Sequence, residues 1–225
     1  MKTLNIAHRG FTRKFPDNTL EAFSAAIKLG ADGIECDVQE TADNHFIIFH
    51  DNDIEGKRIA EMPFAEVGKV RLREQYRVPT LEETLELCHG HVLLNLEFKQ
   101  VFSLERLLQE IREVMTPDEL LASSFQSALI TRLADLAPDI RRGILTAHPV
   151  KDPLDLMNVT RAQVILPIFG SATKTLVDRL HSRNLSIIVW NCNTPEDIQK
   201  ALTWEVDGII TDNPDSVLLS LPVRE

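Results

Sequence analysis

A regular succession of strand-like and helix-like segments constrains the fold of this 225-residue chain more than any other feature. Short aliphatic runs typical of buried strands alternate with longer segments whose apolar residues recur at helical spacing. After residue 90 the predicted strands cover 92–98, 120–125, 140–146, 163–168, 186–191 and 208–211. The predicted helices cover roughly 103–115, 127–136, 153–159, 173–183, 195–203 and 214–220.

The first part of the chain begins with the same succession. A strand over 4–8 precedes a helix whose predicted N-cap is Asn18, because Glu21 follows three residues later. Gly30 is suited to end this helix, and a strand over 33–38 comes next.

The segment at 46–50 interrupts the succession. Only about seven residues separate it from the strand at 33–38, whereas a parallel crossover needs a dozen or more. We therefore expect it to return antiparallel, as a hairpin, before an irregular connection over 52–79 with a short helix near 63–69. The next helix begins at Thr80, whose hydroxyl is predicted to form a capping box.

Without the hairpin strand, eight strands remain, and each is followed by a helix or helix-like segment. That number at this length predicts an α/β fold, a (β/α)₈ TIM barrel with a small hairpin insertion after strand 2. We expect one domain over residues 1–225, with the insertion at about 39–79. A doubly wound open sheet is the alternative, but the first strand is not followed by a glycine-rich turn for a dinucleotide.

Composition narrows the classes of partner. The net charge of −10 argues against nucleic acid or an anionic membrane as the main partner, but not against an anionic small molecule. The three scattered cysteines indicate neither a disulfide framework nor a zinc site and suit a reducing compartment. Since no signal-peptide pattern or long apolar run is present, we expect a cytoplasmic protein without membrane insertion, and leave a homo-oligomer open.

The strand at 33–38 carries two acidic residues among apolar ones. Glu35 and Asp37 are two residues apart, so their side chains point to the same face. Two buried carboxylates repel each other and lose hydration, and something must compensate them. Either a divalent cation or a structural network with Arg or Lys would do so.

Other polar residues follow the ends of neighbouring strands, where barrel enzymes hold their active sites. Asn95, Glu97 and Lys99 share one face of a strand, and Glu97 and Lys99 could simply pair with each other. Further polar or aromatic strand ends are His8–Arg9, His50–Asp51, Ser124–Phe125, Trp190–Asn191 and Thr211–Asp212.

Together these residues favour metal-assisted phosphoryl chemistry. Three carboxylates with open coordination positions suit Mg²⁺ or Ca²⁺, whereas zinc is disfavoured because cysteine clusters are absent and histidines are few. Arg9 and Lys99 would neutralise phosphate oxygens. His8 and His50 would supply the base and the acid that cleavage of a phosphodiester requires.

The chain resembles the glycerophosphodiester phosphodiesterase family along almost its whole length. The resemblance rests on sequence motifs that occur in the family's order: Ala7–Gly10, Pro16–Phe23, Gly30–Val38, Thr41–Asp43, His50–Asp51, Pro79–Glu83, Leu96–Lys99, Ser124–Phe125, Val189–Asn191 and Asp207–Asp215. It implies a TIM barrel that hydrolyses glycerophosphodiesters to sn-glycerol 3-phosphate and an alcohol.

The resemblance also implies roles for individual residues. It makes Glu35, Asp37 and Glu97 ligands of a divalent metal, Mg²⁺ or Ca²⁺, and His8 and His50 the acid–base pair. It places Arg9 and Lys99 on the phosphate, and Phe125 and Trp190 along the substrate site. These assignments leave open which histidine is the acid, and whether the glycerol 2-hydroxyl or water attacks phosphorus.

The chain departs from the family pattern at two places. Asp17 stands where the family usually has Glu, but it keeps the charge, so we expect little effect. The segment after Asp51 lacks the usual Arg-Thr-Thr-Gly run, so we expect a short lid and an open mouth that accepts varied head groups. The alternatives are a phosphodiesterase of the lysophospholipase D type, for which we see no strongly apolar or basic surface segment, and an inactive barrel that binds phosphorylated ligands. A metal-dependent aldolase-like barrel is a further alternative, but this sequence has no lysine where a Schiff base would obviously be needed.

Overall fold

A computed structural model, described over residues 2–220, contains a closed barrel of eight parallel strands. The barrel strands are β1 (Leu4–His8), β2 (Gly33–Glu40), β6 (Leu93–Phe98), β7 (Leu120–Ser124), β8 (Arg141–Thr146), β9 (Val164–Pro167), β10 (Ser186–Val189) and β11 (Gly208–Thr211). Each pairs with its neighbour in chain order, and β1 pairs with both β2 and β11, which closes the ring. The predicted TIM barrel is confirmed.

Helices connect the strands and cover the outside of the barrel. Their ranges are α1 (Leu20–Leu29), α2 (Phe64–Val67), α3 (Leu81–Cys88), α4 (Leu104–Val114), α5 (Ser127–Leu136), α6 (Pro153–Thr160), α7 (Lys174–His181), α8 (Pro195–Trp204) and α9 (Pro214–Ser220). Most observed bounds lie within one or two residues of the prediction. No helix within residues 2–220 is both long and apolar enough to cross a membrane.

The alternation of side chains divides the core into an inner and an outer part. Every second residue of the strands points into the barrel, where Ile6, Leu121, Leu166 and Ile188 belong to one buried cluster. The intervening residues, such as Ile34, pack outward against the helices. Because apolar side chains fill the lower part of the barrel, polar side chains of the same face collect at the carboxyl ends of the strands.

The insertion after β2 has the expected topology. β3 (Phe46–Ile48) pairs antiparallel with β2, which confirms the hairpin. A two-stranded ribbon of β4 (Asp53–Ile54) and β5 (Lys57–Arg58) and the short α2 follow. The predicted domain bounds stay a prediction, and residue 1 and residues 221–225 lie outside the described residues.

The start of α1 differs from the prediction. Thr19, not Asn18, is the N-cap, and its hydroxyl accepts a hydrogen bond from the amide of Ala22. Asn18 instead has a left-handed backbone with φ of 54° and directs its side chain to Asp37. By contrast, the capping box of Thr80 and Glu83 at the start of α3 is confirmed, because both of its hydrogen bonds form.

Candidate active site

A cavity of about 140 Å³ opens at the carboxyl ends of the barrel strands. Twelve residues line it, and eight of them are predicted site residues: His8, Arg9, Glu35, His50, Glu97, Lys99, Phe125 and Trp190. The remaining predicted residue, Asp37, is fully buried beside them. The fold therefore gathers all nine from β1, β2, β6 and the segments that follow β3, β7 and β10.

Three buried carboxylates form the acidic centre of this site. Glu35 and Asp37 come from β2 and Glu97 comes from the neighbouring β6, and each offers an oxygen that lies within 4.8 Å of the other two. The parallel register pairs Asp37 directly with Glu97, which explains how residues 60 positions apart meet. Three hard oxygen donors at this spacing suit a divalent cation that keeps open positions for other ligands.

Two cations already touch this centre, but they do not neutralise it. Lys99 Nζ lies 3.1 Å from Asp37 Oδ1 and 2.5 Å from Glu97 Oε1. Arg9 Nε lies 3.2 Å from Asp37 Oδ2. The pairing of Glu97 with Lys99 is therefore real, yet two cations against three ionised carboxylates leave one negative charge. A bound divalent cation would make the site net positive, as an anionic substrate requires.

Glu35 is the least compensated of the three carboxylates. Burial, followed by the charges of Asp37 and Glu97, raises the pKa of Glu35 well above its ordinary value. Its hydrogen bond from the amide of Arg9 is long, at 3.3 Å. Burial also raises the pKa of Glu97, and Lys99 offsets only part of that effect. A metal ion would relieve both groups by favouring their ionised forms.

Asp37 shows the opposite behaviour on the same strand. Burial alone would raise the pKa of its carboxyl, but Lys99, Arg9 and the amide of Asn18 together lower the pKa below the ordinary value. Asn18 Nδ2 donates to Asp37 Oδ2 over 2.7 Å. Asn18 is thus a site residue that sequence reasoning assigned to the helix cap instead.

The two histidines line the same cavity and differ in their surroundings. His8 ends β1, is largely buried, and places Nε2 3.8 Å from Glu35 Oε2. Its Nδ1 lies 2.6 Å from Asp212 Oδ1. His50 follows β3 and pairs Nδ1 with the exposed carboxylate of Asp51 over 2.7 Å.

Two aromatic side chains line the same cavity as the acidic centre. The rings of Phe125 and Trp190 meet edge to face with centroids 5.7 Å apart. Lys99 Nζ lies 5.8 Å from the centre of the Phe125 ring. The indole Nε1 of Trp190 donates to the carbonyl of Leu166, so this platform is held by the barrel itself.

Sequence reasoning missed three polar residues around the site: Asn18, Asn193 and Asp212. Asp212 was noticed only as a polar strand end, although it contacts His8. Asn193 was not singled out, yet its side chain donates to Asp212. Asn193 and Asp212 follow strands and Asn18 precedes a helix, and these positions do not distinguish side chains that enter the site from those that cap a turn or a helix.

The fold and the site define a class of protein. Buried carboxylates with room for a cation, two flanking cations and two histidines at the carboxyl end of a TIM barrel are the groups required for metal-assisted cleavage of a phosphate ester. Comparison with known proteins gives the family within that class.

Residues 8–216 match the model of the glycerophosphoryl diester phosphodiesterase family. A glycerophosphodiester phosphodiesterase from Caldanaerobacter subterraneus is 30% identical over 97% of both chains. One from Bacillus altitudinis is also 30% identical, over 93% of this chain and 94% of its own. An Oleispira antarctica phosphodiesterase, solved in complex with the product sn-glycerol-3-phosphate, superposes with a TM-score of 0.88 at 23% identity, over 96% of this chain and 95% of its own.

The chain belongs to the glycerophosphoryl diester phosphodiesterase family. The resemblance read from the sequence motifs and the prediction of a phosphoric diester hydrolase are thereby confirmed.

Proposed function

We propose that this protein hydrolyses glycerophosphodiesters to sn-glycerol 3-phosphate and an alcohol, with a divalent cation held by Glu35, Asp37 and Glu97. The observation that carries the proposal is the buried set of three carboxylates whose oxygens lie within 4.8 Å of one another in the barrel mouth. Membership of the family and the product-bound Oleispira phosphodiesterase of the same fold support the substrate class.

The bound cation would neutralise phosphate oxygens and lower the pKa of a coordinated hydroxyl or water. Mg²⁺ and Ca²⁺ both suit three carboxylate ligands, and the experiment below compares them. Lys99 and Arg9 already lie against the acidic centre, so their outer faces are available to a phosphate placed over it.

The histidines would move the protons. One accepts the proton of the attacking hydroxyl, and the other donates a proton to the departing alkoxide, so that the alcohol leaves neutral and the phosphate stays on the glycerol. The attacking group is either the glycerol 2-hydroxyl, which would give a cyclic phosphate that water then opens, or water itself. Single-turnover reactions in ¹⁸O-labelled water with a search for the cyclic phosphate distinguish the two routes.

The phosphodiesterase prediction is tested by release of sn-glycerol 3-phosphate from glycerophosphocholine and glycerophosphoethanolamine. We expect release to stop after EDTA treatment and to return with Mg²⁺ or Ca²⁺. Glu35→Gln should lower the metal-supported rate by about a hundredfold or more, because an amide is a poor ligand for a hard cation. Glu86→Gln, on the exposed face of α3, is the matched control.

Two outcomes would overturn the proposal: full activity after removal of metal, or equal activity of Glu35→Gln and the wild type. Calorimetric titration of the metal-free protein with each ion gives a second readout that needs no substrate. Binding that is lost in Glu35→Gln but retained in Glu86→Gln is expected.

A second substrate class is favoured by one surface feature. Phe102 and Phe125, 63% and 43% exposed, follow the carboxyl ends of β6 and β7, although the sequence showed no strongly apolar surface segment. These rings would contact the acyl chain of a lysophospholipid. Lysophosphatidylcholine therefore belongs in the same assay, and faster release of choline from it than from glycerophosphocholine would favour the lysophospholipase D activity.

A further inference from the structure

The ring of His8 is held by a carboxylate from the far end of the chain. Asp212 Oδ1 lies 2.6 Å from His8 Nδ1, although the two residues are 204 positions apart. The last barrel strand, β11, pairs with the first, β1. Because His8 ends β1 and Asp212 directly follows β11, this pairing brings the two residues together. His8 lines the cavity of the candidate active site, and Asp212 contacts its ring.

Asp212 is itself fixed by several hydrogen bonds. The side-chain amide of Asn193 donates to its second carboxylate oxygen, Oδ2. The side-chain oxygen of Asn193 accepts from the backbone amide of Asp212 over 2.9 Å and from the Thr211 hydroxyl over 3.0 Å. Asn213 Nδ2 in turn donates to the carbonyl of Asn193 over 2.9 Å. The carboxylate is therefore held rigidly between the ends of β10 and β11.

This contact determines which ring nitrogen of His8 carries the proton. An ionised carboxylate only accepts hydrogen bonds, so a separation of 2.6 Å requires a proton on Nδ1. Asn191 Nδ2 lies 2.8 Å from the same nitrogen and would suit the opposite tautomer. That tautomer, however, would set a lone pair of Nδ1 against the carboxylate, and Asn191 can donate to Asp212 instead.

With the proton on Nδ1, the free lone pair of neutral His8 is on Nε2. This atom lies on the side of the acidic centre, 3.8 Å from Glu35 Oε2. His50 has a similar contact with Asp51, but that carboxylate is 69% exposed and adjacent in sequence. Of these two histidine–carboxylate pairs, the one at His8 is the more buried, and its carboxylate also accepts a hydrogen bond from Asn193.

We propose that Asp212 is a positioning residue for His8: it fixes the ring orientation and the Nδ1–H tautomer, so that Nε2 faces the reacting groups. Asn193 holds Asp212 in place. The inference rests on the proposed function for its kinetic consequence, but the tautomer itself can be measured without any substrate.

The first test is the protonation pattern of His8 in the metal-free protein by long-range ¹H–¹⁵N correlation at alkaline pH, where imidazole rings are neutral; His8→Gln identifies the signal. We expect the proton on Nδ1 in the wild type, and a larger Nε2–H population in Asp212→Asn. A wild-type ring with its proton on Nε2 would overturn the inference, whatever the protein hydrolyses.

The second test is a double-mutant cycle on the release of sn-glycerol 3-phosphate. Asp212→Asn should lower kcat by about a hundredfold or more and change KM less than threefold, as expected when only the orientation and tautomer of a histidine are lost. In a His8→Ala background the same substitution should have no further effect. Asp215→Asn, which removes a carboxylate paired with the surface residue Arg13, is the matched control.

The double-mutant cycle distinguishes a positioning role of Asp212 from a general contribution to the stability of the fold. An Asp212→Asn protein with a kcat within threefold of wild type would overturn the inference, as would an equal loss in the wild-type and His8→Ala backgrounds. If the wild type cleaves no glycerophosphodiester, the proposed function fails, while the tautomer measurement still decides the role of Asp212.

Discussion

At the scale of single residues, the acidic strand shows how neighbours decide the behaviour of a side chain. Glu35 and Asp37 are two positions apart, point the same way and are both buried. Asp37 has Lys99, Arg9 and Asn18 against its oxygens, and its pKa falls. Glu35 has little compensation for its burial, and its pKa rises. The two carboxylates should therefore respond differently to neutralisation.

We predict opposite effects of isosteric substitutions on the metal-free protein at pH 7 to 8. A buried acid with a raised pKa destabilises the fold when it is ionised, so Glu35→Gln should raise the free energy of unfolding by about 1 kcal/mol. Asp37→Asn should lower it by roughly 3 kcal/mol, because it removes the buried negative charge that Arg9 and Lys99 share. Urea denaturation after EDTA treatment measures both.

Addition of metal should reverse the order of stability of the wild type and Glu35→Gln. The wild type gains stability from the bound ion, whereas Glu35→Gln should gain much less because it lacks a ligand. Glu86→Gln is expected to follow the wild type in both conditions. A Glu35→Gln protein that is less stable than the wild type without metal would contradict this account of the site.

At the scale of elements, the amino-terminal end of the barrel is held by a connection that has no part in the site. Glu119, just before β7, accepts hydrogen bonds from the backbone amides of Thr116 and Gly90 and from the Thr116 hydroxyl. Gly90 belongs to the turn between α3 and β6. Hydrogen bonds from Thr116 and Gly90 lower the pKa of Glu119 to about 2, despite slight burial.

We predict that Glu119→Gln destabilises the protein by roughly 1 to 2 kcal/mol at pH 7, because a neutral amide is a weaker acceptor. The carboxylate has a lower pKa in the folded than in the unfolded chain, so its contribution is complete above an unfolded pKa of about 4.3. It is lost as the pH falls from there through about 2.

The measurement is the difference in unfolding free energy between wild type and Glu119→Gln at pH 7 and at successive values below 4.5. Asp118→Asn, at the exposed adjacent position, is the control. A difference that stays constant down to pH 2 would show that Glu119 acts through packing and not through its charge.

At the scale of the whole molecule, the candidate active site and the stabilising contacts of Glu119 lie at opposite ends of the barrel. The acidic centre lies at the carboxyl ends of the strands, and the connection made by Glu119 lies at the opposite ends, before β6 and β7 begin. Apolar side chains such as Ile6 and Leu121 fill the space between them. Changes at the two ends should therefore act independently.

We predict that the stability losses of Asp37→Asn and Glu119→Gln add to within about 0.5 kcal/mol, as expected for distant sites without shared partners. Asp37→Asn and Lys99→Met should not add, because these side chains contact each other over 3.1 Å. The comparison needs the three single and two double variants, measured by urea denaturation beside the wild type. Additivity of the contacting pair, or coupling of the distant one, would contradict this separation.

Much of the fold was predictable because its signals are local. Strand and helix segments follow from the spacing of apolar residues over a few positions, and the hairpin at β3 follows from a connection too short for a crossover. The caps show the limit of such signals. Thr80 was predicted correctly as the N-cap of α3. At α1 the N-cap is Thr19 and not Asn18, because the side chain of Asn18 hydrogen-bonds to Asp37, which is distant in sequence.

The sequence by itself determined the order of the elements, the shared face of Glu35 and Asp37, and the collection of polar residues at the strand ends. Each of these depends on residues close together in the chain. Only the tertiary structure decided which side chains meet across strands. Closure of β11 on β1 brings Asp212 to His8, and the register of β2 and β6 sets Glu97 beside Asp37. Such contacts depend on strand register and barrel closure, which the packing of the whole chain selects and no local pattern contains.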